Sequence, residues 1–220
     1  MKAKGDSKMG WLDLHMHSNL SNDGVFSPKE LMELCFEAGI KVLALADHNS
    51  VKGLEEANLH AKQLGIQLIS AIELDCSFRG VDLQVLGYGI DETYDFFEMV
   101  EKNVQDQERT SSLKRMKLVK KMGIFFRYFE AIKLSRTGVV TGEMIAEAAL
   151  NDDRNKHNLL MKPYYPYGER SDNPYVNFYW DICSVGKGAY VPMKFMSLMD
   201  AIELIYAAGG IAILDRKSVV

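Results

Sequence analysis

The sequence has 220 residues, of which 47% are hydrophobic, and a formal net charge of -4 at pH 7. This length suits one sizeable domain or one domain that carries an insertion, and the apolar fraction is sufficient for a buried core. The acidic balance argues against a surface built for long nucleic acids, while a local basic pocket stays compatible with it.

Membrane and secretion signals are missing from the sequence pattern. No apolar run reaches the length of a membrane-spanning helix, and the leader over residues 1–9 is too short and polar for a signal peptide. Cys35, Cys76 and Cys183 are widely spaced and form no CxxC pattern, which predicts buried, reduced thiols. We therefore expect a cytoplasmic protein.

The first predicted strand runs from Trp11 to Leu14 and leads into His15 and His17. Alternate residues of an extended chain face the same side, so the two imidazoles can point to one place. A polar turn with Asp23 and Gly24 follows. The segment Ser27-Pro28-Lys29-Glu30 then has the features of a helix start, with a capping serine, proline in the first turn and a glutamate that reaches back.

A second strand–helix unit and two further strands follow this first helix, which we expect to end at Gly39. The wholly apolar segment 42–46 is typical of a buried parallel strand, and it leads into Asp47 and His48. A second helix is predicted over 50–64, a third strand over 68–72 that ends at Glu73, and a fourth strand over 82–88. Right-handed crossovers and a parallel sheet or barrel are expected from this order.

The pattern changes near Glu92. Residues 92–150 have helical periodicity, including a helix that starts at Thr141, and residues 151–180 are irregular, which is typical of a functional loop or lid. The α/β pattern returns with a capping box at Ser197 and a strand over 211–214. We predict a leader over 1–9, a first barrel part over 10–91, a mostly helical insertion or lid over 92–200, and a returning barrel part over 201–220.

Ionisable residues follow three successive predicted strands, at the edge where α/β barrels and open α/β sheets place their chemistry. They are His15 and His17, then His48, then Glu73. With Asp23 and Asp47 they form a nitrogen and oxygen donor set that suits Zn, Mn or Fe, and a bridging carboxylate would suit more than one ion.

Clustered divalent ions fit hydrolysis, because they can generate hydroxide near neutral pH and clamp the attacking and leaving oxygens of a phosphate. The sequence contains neither a nucleotide-binding phosphate loop nor a GxSxG elbow. Catalysis by a nucleophilic serine therefore has little support.

The segments DLHMHSNLSNDG, LADHNS and AIELD, in this order, resemble the polymerase and histidinol phosphatase (PHP) superfamily of metal-dependent phosphoesterases. The resemblance is close over residues 11–91, and the later chain through Leu214 is similar to a PHP subgroup with a helical insertion. It implies an α/β fold, a distorted (β/α)7 TIM-like barrel. It also implies a cluster of up to three ions (Mn, Zn or Fe, with Mg as a further option) that hydrolyses phosphomonoesters or nucleotide phosphates.

The resemblance also implies site residues. Compared with the first motif of the family, one extra residue precedes Asp23, so Asn22 competes with Asp23 for that ligand position. Asp47 is expected to orient His48, and Glu73 is expected to bridge ions. Arg170 is a candidate for phosphate recognition, because a guanidinium can bind phosphate oxygens bidentately. The residues that match the family's metal ligands, and that we expect to act in catalysis through the bound metals, are His15, His17, Asp23, His48 and Glu73.

Three departures from the family pattern stand beside this resemblance. Gln84 takes the place of a histidine in the fourth strand, Arg216 stands where the family has the histidine of Ala-His-Pro, and a final Asp-x-His motif has no counterpart. The ending DRKSVV indicates a truncation or a frame change. The expected barrel is therefore incomplete at its C-terminus.

We predict a metal-dependent phosphoesterase that cleaves a small phosphorylated substrate, a nucleotide or another metabolite, by attack of a metal-bound hydroxide. Histidinol-phosphate hydrolysis and exonuclease activity are less favoured alternatives. The rival is a truncated or degenerate PHP module that binds metal weakly and is catalytically inactive.

Overall fold

The computed structural model describes residues 10–215, which form two compact units. The first unit takes in the chain up to Lys102 and from Phe195 onwards, and the second unit is Asn103–Lys194. The predicted leader over 1–9 and the segment 216–220 with Arg216 lie outside the described residues. The predicted division into a barrel part over 10–91 and an insertion over 92–200 uses different boundaries from these two units, and it stays a prediction.

The first unit is built on one mixed sheet. Its strands are β1 Leu12–Met16, β2 Val42–Leu45, β3 Gln67–Phe78, β4 Val81–Tyr88, β5 Met196–Ser197 and β6 Ile211–Leu214. The strand order is β1-β2-β3-β4-β6, and β5 pairs with β3. The pairs β1–β2 and β2–β3 are parallel, whereas β4 is antiparallel to both β3 and β6.

Three helices cover one face of this sheet: α1 Pro28–Glu37, α2 Leu54–Leu64 and α7 Leu198–Ala207. The capping box at Ser27 and Glu30 is confirmed, because the serine side chain accepts from the Glu30 N–H and the glutamate accepts from the Ser27 N–H. The start of α2 is four residues later than predicted. The stretch from Ser50 to Gly53 is not helical.

The third strand differs most from the prediction. It runs five residues past Glu73 and turns back through Arg79 and Gly80 into β4. Both turn residues have positive φ, 51° and 82°, as a two-residue hairpin with the twist of the strands requires. The sheet of residues 10–215 is therefore mixed and open, with β1 and β6 at the ends of its strand order, and closure into a (β/α)7 barrel stays a prediction.

Strand alternation divides the side chains of the sheet between two faces. Leu43, Leu45, Ile72 and Leu74 belong to the core beneath the helices, whereas small residues such as Ala44 line the other face. On that second face the Tyr88 hydroxyl donates to the Leu14 carbonyl oxygen at 2.9 Å. The contact joins β4 to β1 across two intervening strands, so the sheet curves strongly towards this face.

The second unit is helical. The long helix α3 Phe96–Lys121 crosses its boundary, and a separate core joins the later helices α4 Tyr128–Leu134, α5 Gly142–Leu150 and α6 Pro174–Phe178. Thr141 caps α5 as predicted. The irregular stretch after α5 contains short 3-10 turns, α6 and a π-helical turn over Tyr179–Cys183.

All three cysteines are buried and none forms a disulfide, which confirms the prediction of buried, reduced thiols. Within residues 10–215, none of the helices combines the length and the apolar character that crossing a membrane requires.

Candidate metal centre

Four of the predicted ligands lie on, or shortly after, three neighbouring parallel strands of the first unit. His15 lies within β1 and His17 follows its last residue, with alternation placing both on the face opposite the helices. His48 follows β2 and forms an isolated parallel bridge with Glu73. Glu73 lies inside β3, not beyond its end as predicted, because β3 continues into the hairpin.

The Glu73 carboxylate is the centre of this group. Its Oε2 atom lies 3.2 Å from His15 Nε2, 3.3 Å from His17 Nε2 and 3.3 Å from His48 Nδ1. Donor atoms about 2.0–2.1 Å from a tetrahedral zinc ion lie about 3.3–3.4 Å from one another. The spacing of these atoms therefore fits a first group of metal ligands, formed by His15, His17 and Glu73.

A second candidate group contains Asp23 from the turn after β1. Its Oδ1 atom lies 3.5 Å from His17 Nδ1, and its Oδ2 atom lies 3.4 Å from His48 Nε2. Asp23, His17 and His48 thus also meet the spacing for a shared ion. His17 belongs to both groups, through a different ring nitrogen in each.

Asp47 anchors the loop that carries these ligands, and its predicted role of orienting His48 stays a prediction. Its buried carboxylate accepts from the Ser18 N–H at 2.7 Å, the Ser18 hydroxyl at 2.7 Å and the Ser21 hydroxyl at 2.8 Å. Ser21 in turn accepts from the His48 N–H at 2.8 Å. The loop is also tight at Gly24, where a Cβ atom would lie only 1.8 Å from the Ser18 carbonyl oxygen.

The charges of the site shift the pKa values of His48 and Asp23 in opposite directions. Burial lowers the pKa of His48, but the hydrogen bond with Asp23 and the negative charges of Asp75, Glu73 and Asp23 outweigh burial and raise it to about 9. Partial burial raises the pKa of Asp23, but the hydrogen bond and charge of His48 and the charge of His17 lower it to about 2. The raised pKa of His48 reflects the negative charge around it, and the lowered pKa of Asp23 reflects its pairing with His48 and His17.

The two buried carboxylates, Glu73 and Asp47, have raised pKa values, in contrast to Asp23. Burial raises the pKa of Glu73 against the opposing charges of His48 and His15, and burial raises the pKa of Asp47 against its hydrogen bonds from Ser18 and Ser21. A divalent cation beside Glu73 would offset this cost, because it supplies the positive charge that a buried carboxylate needs.

Gln84 lies beside the site, where its Nε2 atom is 3.3 Å from both His48 Nδ1 and Asp75 Oδ1. The Asp75 carboxylate also accepts from the buried Asn49 amide at 2.7 Å, and Asn49 accepts from the Asp75 N–H at 3.0 Å. Asp75 and Asn49 were missed in the sequence. Asp75 follows Glu73 by two residues and pairs with Gln84 across the hairpin, so alternation along a longer β3 could have identified it.

Arg170 lies in the second unit. Its guanidinium donates to both carboxylate oxygens of Asp181, at 3.0 and 3.2 Å, and Asp181 also accepts from the Tyr164 hydroxyl at 3.1 Å. This pairing uses the fork geometry that would bind a phosphate. The role of Arg170 in phosphate recognition stays a prediction.

Known proteins resemble this chain over most of its length. The model of the PHP domain matches residues 13–167. The chain is 30% identical over 206 residues to a 5'-3' exoribonuclease of Haemophilus influenzae, covering 92% of this chain and 67% of that protein. It is 25% identical to a 3',5'-nucleoside bisphosphate phosphatase of Chromobacterium violaceum, covering 94% and 66%.

Solved structures support the same fold. An amidohydrolase from Chromobacterium violaceum, determined with bound sulfate and no metal, superimposes with a TM-score of 0.75 at 23% identity, over 93% of this chain and 66% of that chain. A metal-dependent phosphoesterase from Bifidobacterium adolescentis superimposes with a TM-score of 0.68 at 21% identity, over 92% of this chain and 65% of that chain. The chain thus spans about two thirds of the length of these relatives.

Proposed function

The chain belongs to the PHP domain family, and from this premise we propose that it is a metal-dependent phosphoesterase acting on a nucleotide or another small phosphorylated metabolite. The observation that carries the proposal is the spacing around Glu73. One carboxylate oxygen within 3.2–3.3 Å of three imidazole nitrogens is an arrangement that suits the ligands of a cluster of cations.

In this proposal, His15, His17, Asp23, His48 and Glu73 would hold two or more divalent ions. Such ions would supply Lewis acidity near neutral pH and positive charge for the phosphate oxygens. The nitrogen and oxygen donors suit Zn, Mn or Fe, and Mg is less well served by so many imidazoles. The chain's own contribution is to hold His15 and Glu73 in strands, and to fix the loop after β1 through Asp47 and the tight turn at Gly24.

The substrate class is inferred from the relatives and from charge. The relatives are named as an exoribonuclease, a nucleoside bisphosphate phosphatase and a phosphoribosyl 1,2-cyclic phosphate diphosphodiesterase. We favour a small substrate for this chain because its net charge of -4 offers little attraction to a long polyanion. Arg170 would contact the phosphate only if phosphate displaced Asp181 from the guanidinium.

The test is the release of hydrolysis products, separated by chromatography, when the metal-loaded chain acts on three substrates that differ in class: a 3',5'-nucleoside bisphosphate, a cyclic phosphate ester and a 5'-phosphorylated oligoribonucleotide. We expect Mn²⁺ or Zn²⁺ to be required, and the bisphosphate to be cleaved faster than the oligonucleotide. His17→Ala should abolish release, whereas His60→Ala, which removes a histidine of helix α2, should not. Release that persists in His17→Ala would count against the assigned site.

Gln84 favours a second candidate, a PHP module that binds metal weakly and is catalytically inactive. Its amide contacts His48 and Asp75 at the position where the family pattern has a histidine, and an amide binds these metals weakly. Metal content per chain separates the two candidates. Two or three tightly bound ions favour the enzyme, whereas one weakly bound ion or none favours the inactive module.

The remaining finer predictions are kept as proposals for the whole protein. These are closure of the sheet into a distorted (β/α)7 barrel, a specificity role for the helical segment between the two parts of the first unit, and a cytoplasmic location.

A further inference from the structure

The hydroxyl of Ser21 connects three groups of the candidate metal centre. It donates to Asp47 Oδ1 at 2.8 Å, accepts from the His48 N–H at 2.8 Å, and lies 3.4 Å from His17 Nδ1. Ser21 is itself buried, with 3% of its surface exposed. One small side chain therefore touches the anchor of the loop, the imidazole of His17 and the backbone of His48.

Counting protons around Ser21 fixes the direction of its contact with His17. A serine hydroxyl has one proton to donate and two lone pairs with which to accept. Because the proton is directed at Asp47, whose carboxylate accepts all of its three hydrogen bonds, Ser21 can only accept from His17. His17 Nδ1 must then carry the ring proton. Asp23 Oδ1, a second acceptor 3.5 Å from Nδ1, favours the same tautomer.

We propose that Ser21, held by Asp47, is a positioning residue that keeps the proton of His17 on Nδ1 and so directs Nε2 towards the metal beside Glu73. This inference rests on the proposed metal site. A neutral imidazole ligates through the nitrogen that lacks the proton, and the partner of the other nitrogen selects which one that is. His17 thereby belongs to the group with His15 and Glu73, and Asp23 and His48 are left to serve a neighbouring ion.

The same contact explains why the two ligand loops are held together. Ser21 lies in the loop after β1, and the His48 N–H that it accepts from lies in the loop after β2. A change in its hydroxyl would therefore affect both the tautomer of His17 and the position of His48. A purely structural serine would affect only stability.

The decisive measurement is the tautomer of His17 in the full chain, read from the ¹⁵N shifts of its imidazole, first without metal and at a pH high enough to deprotonate the ring. A proton on Nδ1 is the expected result, and a proton on Nε2 overturns the proposal whether or not metal binds. Titration with Zn²⁺ should then shift the Nε2 resonance of His17. If the proton is on Nδ1 but Zn²⁺ changes no imidazole resonance, the proposed metal site fails while the role of Ser21 stands.

Variants supply a second measurement. Ser21→Ala should weaken Zn²⁺ binding by about 10- to 100-fold, the usual cost of losing a group that orients a metal ligand. It should also let the His17 proton populate both nitrogens. Ser21→Thr, which keeps the hydroxyl, should restore most of the affinity and the single tautomer.

The matched control is Ser112→Ala. Ser112 is a buried serine of the second unit that also donates one hydrogen bond and accepts another, to Glu108 and from Val140. It should lower stability without changing Zn²⁺ affinity or the His17 spectrum. Unchanged affinity and tautomer in a folded Ser21→Ala protein would overturn the proposal.

Discussion

The metal-free protein should lose stability as the pH rises through the neutral range, because of His48. Its pKa is raised from 6.5 to about 9 in the folded chain, so the folded state holds this proton more tightly than the unfolded state does. The stabilisation is complete below the unfolded pKa and fades as the pH approaches the folded pKa. Raising the pH in the presence of a chelator is the perturbation.

The size of the effect follows from the two pKa values. A shift of this size corresponds to about 3 kcal/mol, at about 1.4 kcal/mol per pKa unit. Near pH 6.5 the proton on His48 contributes about 3 kcal/mol to the free energy of unfolding, and near pH 8.5 it contributes about 1 kcal/mol. We therefore expect the free energy of unfolding to fall by about 2 kcal/mol over this interval.

Urea unfolding in EDTA across this interval measures the change directly. His48→Gln should flatten the dependence, because it removes the group that titrates. Saturating Zn²⁺ should reverse the slope, since the ligand has to be deprotonated and protons compete with the metal at low pH. A flat profile for the metal-free protein, or an unchanged slope in His48→Gln, would refute the assignment of the charge to His48.

Three further predictions address other parts of the chain. Glu73→Gln should weaken Zn²⁺ binding by more than about 100-fold, which is the largest usual loss of affinity when a residue that only orients a metal ligand is removed. Competition with a chromophoric chelator measures the affinity, and a smaller loss would argue against Glu73 as a central ligand. Gly24→Ala should lower both the melting temperature and Zn²⁺ affinity, because the new Cβ would meet the Ser18 carbonyl oxygen, and a variant with unchanged affinity would show that the turn does not hold the ligands. Asn155→Ala should destabilise the second unit by about 1–3 kcal/mol, because its buried side chain bonds the Phe125 N–H and two carbonyl oxygens, and a change under 0.5 kcal/mol in chemical unfolding would contradict this.

Local signals predicted the first unit well where a short segment contains its own cause. The capping box at Ser27, the glycine at the end of α1 and the apolar run of β2 each gave the correct element within one or two residues. His15 and His17 were identifiable for the same reason, because alternation along one strand brings them to one face.

Features that depend on distant partners were less predictable. The pairing of β3 with β4 depends on the Arg79-Gly80 turn, and arginine rarely adopts the positive φ that it has there. The anchoring of Asp47 by Ser18 and Ser21 joins residues 26 and 29 positions apart. Such contacts have no periodicity in the sequence, so the prediction linked Asp47 to the adjacent His48 and did not identify the two serines.

The open ends of the sheet have a consequence for handling the protein. Strands β1 and β6 end the strand order within residues 10–215, and both expose apolar side chains, with Leu12 42% and Ile211 65% exposed. Edge strands of this kind are templates for pairing with another chain. We therefore expect self-association to increase with protein concentration. Light scattering across a dilution series should accompany each measurement of metal stoichiometry, because aggregated chains would bury the metal ligands.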